Sequence, residues 1–219
     1  MLQHVWERAS EARYLSSTLI ATDDERIYEI GRSFGARVRM TRADHVSGTD
    51  RVAEAASSEN AAIVVNIQAD EPLIDPDAID AAIMPLEQDS DILMGTLKKR
   101  IEDPREITDP NVVKVVTDRA GDAIYFSRCP IPHGPATAHF KHIGLYVYKS
   151  DFLMAYPNLP IGPLEQTERL EQLRALESGY KIRVAETDYE SVAVDTAEDL
   201  ERVRELFERV GPREAQWRA

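Results

Sequence analysis

The stretch Val64-Val-Asn-Ile-Gln-Ala-Asp-Glu-Pro72 decides the fold class. Its first residues belong to the most apolar run of the chain, residues 61–67. The polar residues Gln68, Asp70 and Glu71 follow that run. A short apolar run that closes on polar residues and a proline is typical of a buried strand followed by a turn. We therefore predict a central β-strand with polar side chains at its carboxyl edge.

Short apolar runs alternate with helical patterns on both sides of this stretch. Residues 17–22 and 36–41 read as strands with a helix between them, and Pro76 suits the first turn of a helix. One strong helix is predicted over residues 165–178. The segment at about 91–150 has strand-like runs with little helix between them. We expect an α/β fold with a mixed sheet and helices on both faces, formed by residues 1–219 as a single domain.

Composition excludes several classes of function. The chain has 26 Lys+Arg against 39 Asp+Glu, a formal net charge of −13, which argues against nucleic-acid binding. No apolar run reaches the roughly 18–20 residues that span a bilayer, so we expect a cytoplasmic protein that does not associate with membranes. The single cysteine excludes a disulfide scaffold. A small phosphate ligand stays possible, since it needs only a few cations or a metal.

Two carboxylates are candidates for a metal site. Asp70 lies at the predicted carboxyl edge, where ligands bind in open α/β sheets, and Asp195 closes a second short apolar run before a helix. Mg2+ prefers one or two protein oxygens of this kind together with substrate phosphates. The structural alternative is that Asp70 caps the next turn while Glu71 is solvated, and that Asp195 caps the following helix.

A glycine-containing turn precedes another predicted helix. Ser47-Gly-Thr-Asp-Arg51 places a cation in the first turn, where helix amides and an arginine suit a phosphate or the edge of a base. The pattern alone is weak evidence, because many helices begin this way.

Read together, the segments resemble those of the 3-deoxy-manno-octulosonate (Kdo) cytidylyltransferases, also called CMP-Kdo synthetases. The resemblance includes His142-Ile-Gly-Leu-Tyr146 and Leu170-Glu-Gln-Leu-Arg174 and covers nearly the whole chain in family order. Its other segments are residues 21–24, 40–45, 47–51, 65–72, 111–116, 125–128, 131–132 and 194–200.

The resemblance implies a fold, a reaction and an assembly. The fold would be a Rossmann-like nucleotide-binding sheet of the nucleotide-diphospho-sugar transferase type, with a smaller dimerisation region at about residues 91–150. The reaction would join CTP and Kdo to give CMP-Kdo and pyrophosphate, with Mg2+ as cofactor, for lipopolysaccharide biosynthesis. The assembly would be a homodimer.

The resemblance also assigns roles to individual residues. Asp70 and Asp195 match the catalytic, metal-binding aspartates, and Arg51 matches a nucleotide-contacting arginine. Gln68 matches a residue between the nucleotide and the sugar acid. We call the following residues the sugar-acid set: Gln68, Arg128, His142, Tyr146, Glu171 and Gln172.

Elementary chemistry agrees with the sugar-acid set. Arg128 suits a forked, charge-assisted contact to a carboxylate. His142 and Tyr146 are four residues apart on a predicted strand, so both point to one face. Glu171 and Gln172 are expected near the middle of the helix predicted over 165–178.

One feature that the resemblance leads us to expect is missing. Family members begin with a strand and a basic, glycine-containing loop that holds the triphosphate, and no segment of the 219 residues matches it. Residues 1–12 already read as an amphipathic helix. Because the sugar-acid residues are intact, we expect an N-terminally truncated chain rather than an impaired relative, with little or no activity as written. Loss of that strand would expose the edges of its neighbours.

Other functions remain as alternatives. A CMP-sialate synthetase-like transferase for another acidic sugar would share the fold and the CTP chemistry. A non-catalytic remnant of the fold would bind no CTP. An NAD-linked dehydrogenase is disfavoured, because no G-x-G-x-x-G follows any predicted strand.

Overall fold

The computed structural model describes residues 1–45, 47–134, 137–194 and 196–214. The chain divides into two units, each assembled from separate segments. The first unit comprises Met1–Asp44, Ile67–Asp80 and Tyr189–Ala219, and the second comprises His45–Asn66 and Ala81–Asp188. The expectation of a single nucleotidyltransferase domain with a dimerisation region at about 91–150 stays a prediction.

The first unit contains a small parallel sheet and the helices around it. Its elements are α1 (Leu2–Ala9), β1 (Leu19–Thr22), α2 (Glu25–Ser33), β2 (Arg37–Met40) and α9 (Ala197–Glu214). The strands pair in parallel, as the alternating pattern predicts. The side chain of Asp24 caps α2 by accepting a hydrogen bond from the backbone N–H of Arg26.

The second unit contains the larger sheet. Helix α4 (Pro76–Gln88) begins in the first unit and ends in the second. The other elements are α3 (Gly48–Ala56), β3 (Ile63–Asn66), β4 (Met94–Arg100), α5 (Pro104–Thr108), β5 (Lys114–Thr117), β6 (Ala123–Ser127), β7 (Phe140–Lys149), α6 (Ser150–Ala155), a 3-10 turn (Tyr156–Asn158), α7 (Pro163–Glu168), α8 (Leu173–Glu177) and β8 (Ile182–Glu186).

The larger sheet is mixed, as predicted. Its strand order is β6-β5-β7-β4-β8, and β3 pairs with β7 beside that path. The β4–β8 pair is parallel, while the pairs made by β7 are antiparallel. Strand β7 therefore organises the unit, since it contacts three other strands. None of the helices in the described ranges is long and apolar enough to cross a membrane.

The predicted central position of strand β3 is wrong. The apolar run at 61–67 predicts a central strand, but among the described residues β3 pairs with β7 alone, from Ile63 opposite Lys149 to Asn66 opposite Tyr146. It therefore lies at an edge of the described sheet. The reason for the error is physical: an apolar strand indicates that its faces are covered and carries no information on whether both of its hydrogen-bonding edges are paired.

The helix predicted over residues 165–178 is also wrong as a single element. Helix α7 ends at Glu168, and Arg169 adopts a left-handed conformation with φ 55° and ψ 48° before α8 begins. This break buries Leu170 and Leu173 and also buries Gln172. Residues 171–172 thus lie in the interruption rather than in mid-helix. The helical periodicity of the sequence continues across the break, so the pattern does not reveal it.

Candidate active site

Two residues of the sugar-acid set lie side by side on β7. The rings of His142 and Tyr146 have centroids 5.4 Å apart, and Phe126 meets His142 edge-on at 5.0 Å. Burial alternates along β7, which places positions 142 and 146 on one face. The prediction that His142 and Tyr146 share one face of a strand is therefore confirmed.

A bulge in the sheet holds His142. The β4–β7 register shifts between Thr96 and Leu97, so that Gly144 and Leu145 have no opposite residue on β4. The Thr96 hydroxyl fills this irregularity, lying 2.8 Å from the carbonyl oxygen of Leu145 and 2.9 Å from His142 Nε2.

The geometry assigns the tautomer of His142. A hydroxyl has a single proton, and the carbonyl of Leu145 can only accept it. Thr96 Oγ must therefore accept from His142 Nε2–H, which leaves Nδ1 as a hydrogen-bond acceptor. Burial lowers the pKa of His142 to about 3, so the ring is neutral near neutral pH. His142 can bind a hydroxyl, but it cannot supply a positive charge.

Tyr146 connects β7 to the break between α7 and α8. Its hydroxyl donates to Gln172 Oε1 at 3.0 Å, and burial raises its pKa well above the usual value, so it stays protonated. Within the described part of the chain, Gln172 Nε2 has no hydrogen-bond partner although the residue is only 3% exposed. An unsatisfied buried donor is costly. This amide is therefore the clearest vacant ligand contact of the sugar-acid set.

Glu171 joins the sugar-acid set to the predicted phosphate motif. Its Oε1 accepts from the Ser47 hydroxyl at 3.0 Å, and Ser47 also caps α3 by accepting from Asp50 N. Burial raises the pKa of Glu171, while hydrogen bonds from Thr49 and Ser47 oppose this shift. Ser47, Glu171 and Arg169 line an open cavity of about 280 Å³.

The two arginines of the prediction differ in their surroundings. Arg51 is half-buried on α3, in the helix that Ser47 caps. Arg128 follows β6, where its Nε donates to the carbonyl of Glu168 and its Nη1 to that of Pro110, both at 2.9 Å. Arg128 is thus anchored through its guanidinium by backbone oxygens.

The candidate metal residue Asp70 belongs to the first unit, and so does Gln68 of the sugar-acid set. Gln68 and Asp70 lie in the turn after β3, and Asp195 lies outside the described residues. Val194 N donates to the carbonyl of Asp70 at 2.9 Å, so the chain just before Asp195 runs beside Asp70. A carboxylate such as that of Asp70 suits Mg2+, which keeps several waters of its own. Among the described residues there is no group of three or more side chains able to hold a metal.

The prediction that Glu71 is solvated, made as part of the structural alternative, is wrong. It is 7% exposed, and its carboxylate accepts from the hydroxyls of Tyr189 at 2.9 Å and Ser191 at 2.8 Å. Burial raises its pKa. Glu71 therefore fastens the segment that leads to Asp195 onto the turn that carries Asp70.

Sequence reasoning missed the residues that support the site. Thr96 orients His142, Glu168 accepts bonds around Arg128, and Glu71 fastens the two acidic segments. A polar residue inside a predicted strand or helix gives no signal of its own. The only signal in the sequence was Glu71, a second carboxylate directly after Asp70.

Comparison with known proteins decides the family. A family model described as cytidylyltransferase matches residues 1–182. The 3-deoxy-manno-octulosonate cytidylyltransferase of Solibacter usitatus is 74% identical over 94% of this chain and 84% of the relative. The enzyme of the same name from Syntrophotalea carbinolica is 54% identical over 93% and 86%. The chain belongs to the 3-deoxy-manno-octulosonate cytidylyltransferase family. The predicted resemblance is confirmed.

Solved structures agree with this family. A CMP:2-keto-3-deoxy-manno-octonic acid synthetase complexed with CTP matches with a TM-score of 0.91 and 39% identity, over 95% of this chain and 87% of that chain. The 4-diphosphocytidyl-2C-methyl-D-erythritol synthase of Anaerococcus prevotii matches over 95% and 89%, with a TM-score of 0.63 at 13% identity. The second likeness shows the fold alone. The predicted Rossmann-like nucleotidyltransferase fold class is confirmed.

Proposed function

We propose that this member of the Kdo cytidylyltransferase family transfers the cytidylyl group of CTP to Kdo, giving CMP-Kdo and pyrophosphate. The observation that carries the proposal is the 74% identity to the Kdo cytidylyltransferase of Solibacter usitatus across 94% of the chain. CMP-Kdo would serve lipopolysaccharide biosynthesis. We also propose that the protein is cytoplasmic and forms a homodimer.

The sugar-acid set suits an acidic, hydroxyl-rich substrate. Arg128 would bind the carboxylate of Kdo. The vacant Gln172 Nε2 would donate to a sugar hydroxyl, and His142 Nδ1 would accept from another. Because His142 and Tyr146 are uncharged near neutral pH, this part of the site would select by hydrogen bonding and leave charge recognition to the arginine.

The reaction would be an in-line displacement. The anomeric hydroxyl of Kdo loses its proton to solvent as its oxygen forms a bond to the α-phosphorus of CTP, and the bond from that phosphorus to the pyrophosphate oxygen breaks. Arg51 and Gln68 would contact the nucleotide. Asp70 and Asp195 would hold Mg2+, which when bound neutralises charge on the phosphates. Most of the rate enhancement would come from positioning and charge neutralisation.

The test of this function is product identity under near-stoichiometric conditions. Near-stoichiometric protein makes even a single round of product formation detectable. The protein is incubated with CTP, Mg2+ and either Kdo or N-acetylneuraminate, and nucleotide products are identified by mass spectrometry. We expect CMP-Kdo and no CMP-sialate. Asp70→Asn is expected to abolish the product.

Substrate binding tests the assignment independently of turnover. Calorimetric titration with Kdo is expected to show binding that Arg128→Met weakens. Arg105→Met is the matched control, because the side chain of Arg105 is 91% exposed on α5. Preference for N-acetylneuraminate would support a sialate-type transferase, and absence of both Kdo and CTP binding would support a non-catalytic remnant.

A further inference from the structure

The anchoring of Arg128 leaves a defined part of its guanidinium available. Nε donates to the Glu168 carbonyl and one Nη1 proton is directed to the Pro110 carbonyl. A guanidinium has five N–H groups. Among the described residues, no partner is found for the second proton on Nη1 or for either proton on Nη2. A carboxylate can therefore be bound end-on through these two nitrogens.

The carboxylate of Glu168 fixes the backbone from which Arg128 extends. Its Oε2 accepts from Arg128 N at 2.9 Å. Its Oε1 accepts from the hydroxyl of Ser127 at 2.7 Å and from that of Tyr125 at 3.3 Å. Desolvation acts to raise the pKa of Glu168, but these bonds outweigh it and lower the pKa. Glu168 thus holds the end of β6 with its side chain and the Arg128 guanidinium with its own carbonyl.

Lys114 completes the frame around Arg128. Its fully buried ammonium donates to the carbonyl of Asp109 at 2.7 Å, to that of Arg128 at 2.6 Å and to that of Val112. These three bonds use all three of its protons. They connect the loop that contains Pro110 to the backbone of Arg128. The carbonyl of Pro110 is one of the two groups that hold the Arg128 guanidinium. Both anchors of the guanidinium are therefore held in place.

We propose that Glu168 is a positioning residue for the sugar acid, acting through Arg128, which it presents end-on to the substrate carboxylate. This inference rests on the proposed function, because it takes the Kdo carboxylate as the group that Arg128 binds. Glu168 itself makes no direct contact with the substrate in this role. Its effect should appear only for ligands that carry the carboxylate charge.

The test compares Kdo with its neutral methyl ester in calorimetric titrations of Glu168→Gln. A glutamine keeps the shape but loses the charge that strengthens the bonds from Arg128 N and Ser127. We expect Kdo to bind about tenfold more weakly, with ester binding unchanged. Glu177→Gln is the matched control, since Glu177 accepts from Leu164 N and Glu165 N at the start of the same helix and touches no part of Arg128. The control is expected to bind Kdo normally.

A double-mutant cycle decides whether Glu168 acts through Arg128. In an Arg128→Met background, Glu168→Gln is expected to cause no further loss of Kdo affinity. Equal losses for Kdo and the ester would overturn the proposal, since they indicate general damage to the site. Tighter Kdo binding would also overturn it, because Glu168 would then act by charge repulsion.

Two further measurements keep the outcome clear. Tyr125→Phe removes only the longest bond to Glu168 and should give a smaller, carboxylate-specific loss even if the glutamine variant folds poorly. If the unaltered protein binds no Kdo, the proposed function fails. If it binds Kdo and Arg128→Met weakens binding but neither Glu168→Gln nor Tyr125→Phe does, only the positioning role fails.

Discussion

The neutral state of His142 predicts a specific loss of stability in acid. Burial lowers its pKa from 6.5 to about 3 in the folded protein, whereas the unfolded chain keeps the ordinary value. Between these two values the unfolded state binds one proton more than the folded state. Folding stability must therefore fall as pH decreases below the unfolded pKa, and it must continue to fall until the folded pKa is reached.

The size of the effect follows from the two pKa values. At about pH 5 the unfolded histidine is almost fully protonated and the folded one is not. The linkage relation then gives a loss of about 2 kcal/mol relative to about pH 7.5. Phe126, Tyr146 and Thr96 contact the ring, and none of them carries a charge over this range. The shift therefore has burial as its single cause.

Urea unfolding at these two pH values measures the loss, with His142→Gln as the matched protein. Glu71, Asp75 and Glu171 have raised pKa values, and acidification stabilises the fold through such groups. They are present in both proteins, so the difference between the two pH dependences isolates His142. We expect the free energy of unfolding of the variant to fall by about 2 kcal/mol less than that of the unaltered protein when the pH is lowered. Equal pH dependences would refute the account of a neutral, buried imidazole.

Three substitutions test other parts of the structure. Thr96→Val leaves the carbonyl of Leu145 and His142 Nε2 without their hydrogen-bond partner, and we expect it to cost about 1–3 kcal/mol of unfolding free energy and to weaken Kdo binding. Glu165→Gln breaks a pair with Arg174, whose side chain is 4% exposed, and should cost about 3–5 kcal/mol. Gly179→Ala forces a side chain into a φ of 82° after α8 and should cost about 1–2 kcal/mol. Chemical unfolding measures all three.

Asp103→Asn is the surface control for these substitutions. It breaks an ion pair with the highly exposed Arg105, where solvent screens the charges, so the free energy of unfolding should barely change. A Glu165→Gln cost as small as this would contradict the assignment of a buried pair. Unchanged Kdo affinity in Thr96→Val would contradict the orientation of His142 by Thr96. A Gly179→Ala protein as stable as its parent would contradict the left-handed backbone at that position.

The order of strands and helices could be predicted because burial is encoded locally. Apolar runs and turn residues located β1, β2, β3 and α4 to within a few residues. Pairing is not encoded locally, since the partner of a strand is distant in sequence. For this reason the run at 61–67 indicated a strand correctly but a central position wrongly.

In the candidate site, too, the features that depend on a local pattern could be predicted and those that depend on distant contacts could not. The spacing of His142 and Tyr146 predicted that they share a face, because the period of a strand is fixed. The break at Arg169 could not be predicted, since leucines at 170 and 173 fit a continuous helix equally well. The support of His142 by Thr96 and of Arg128 by Glu168 depends on contacts across many residues, which no local pattern contains.

The binding of the sugar acid can be observed directly in a crystal structure of the protein with Kdo. We expect the Kdo carboxylate to lie within hydrogen-bonding distance of Arg128 Nη1 and Nη2, and a sugar hydroxyl to accept from Gln172 Nε2. Kdo bound elsewhere, or bound with Arg128 and Gln172 both left without contact to it, would contradict the proposed roles of these two residues.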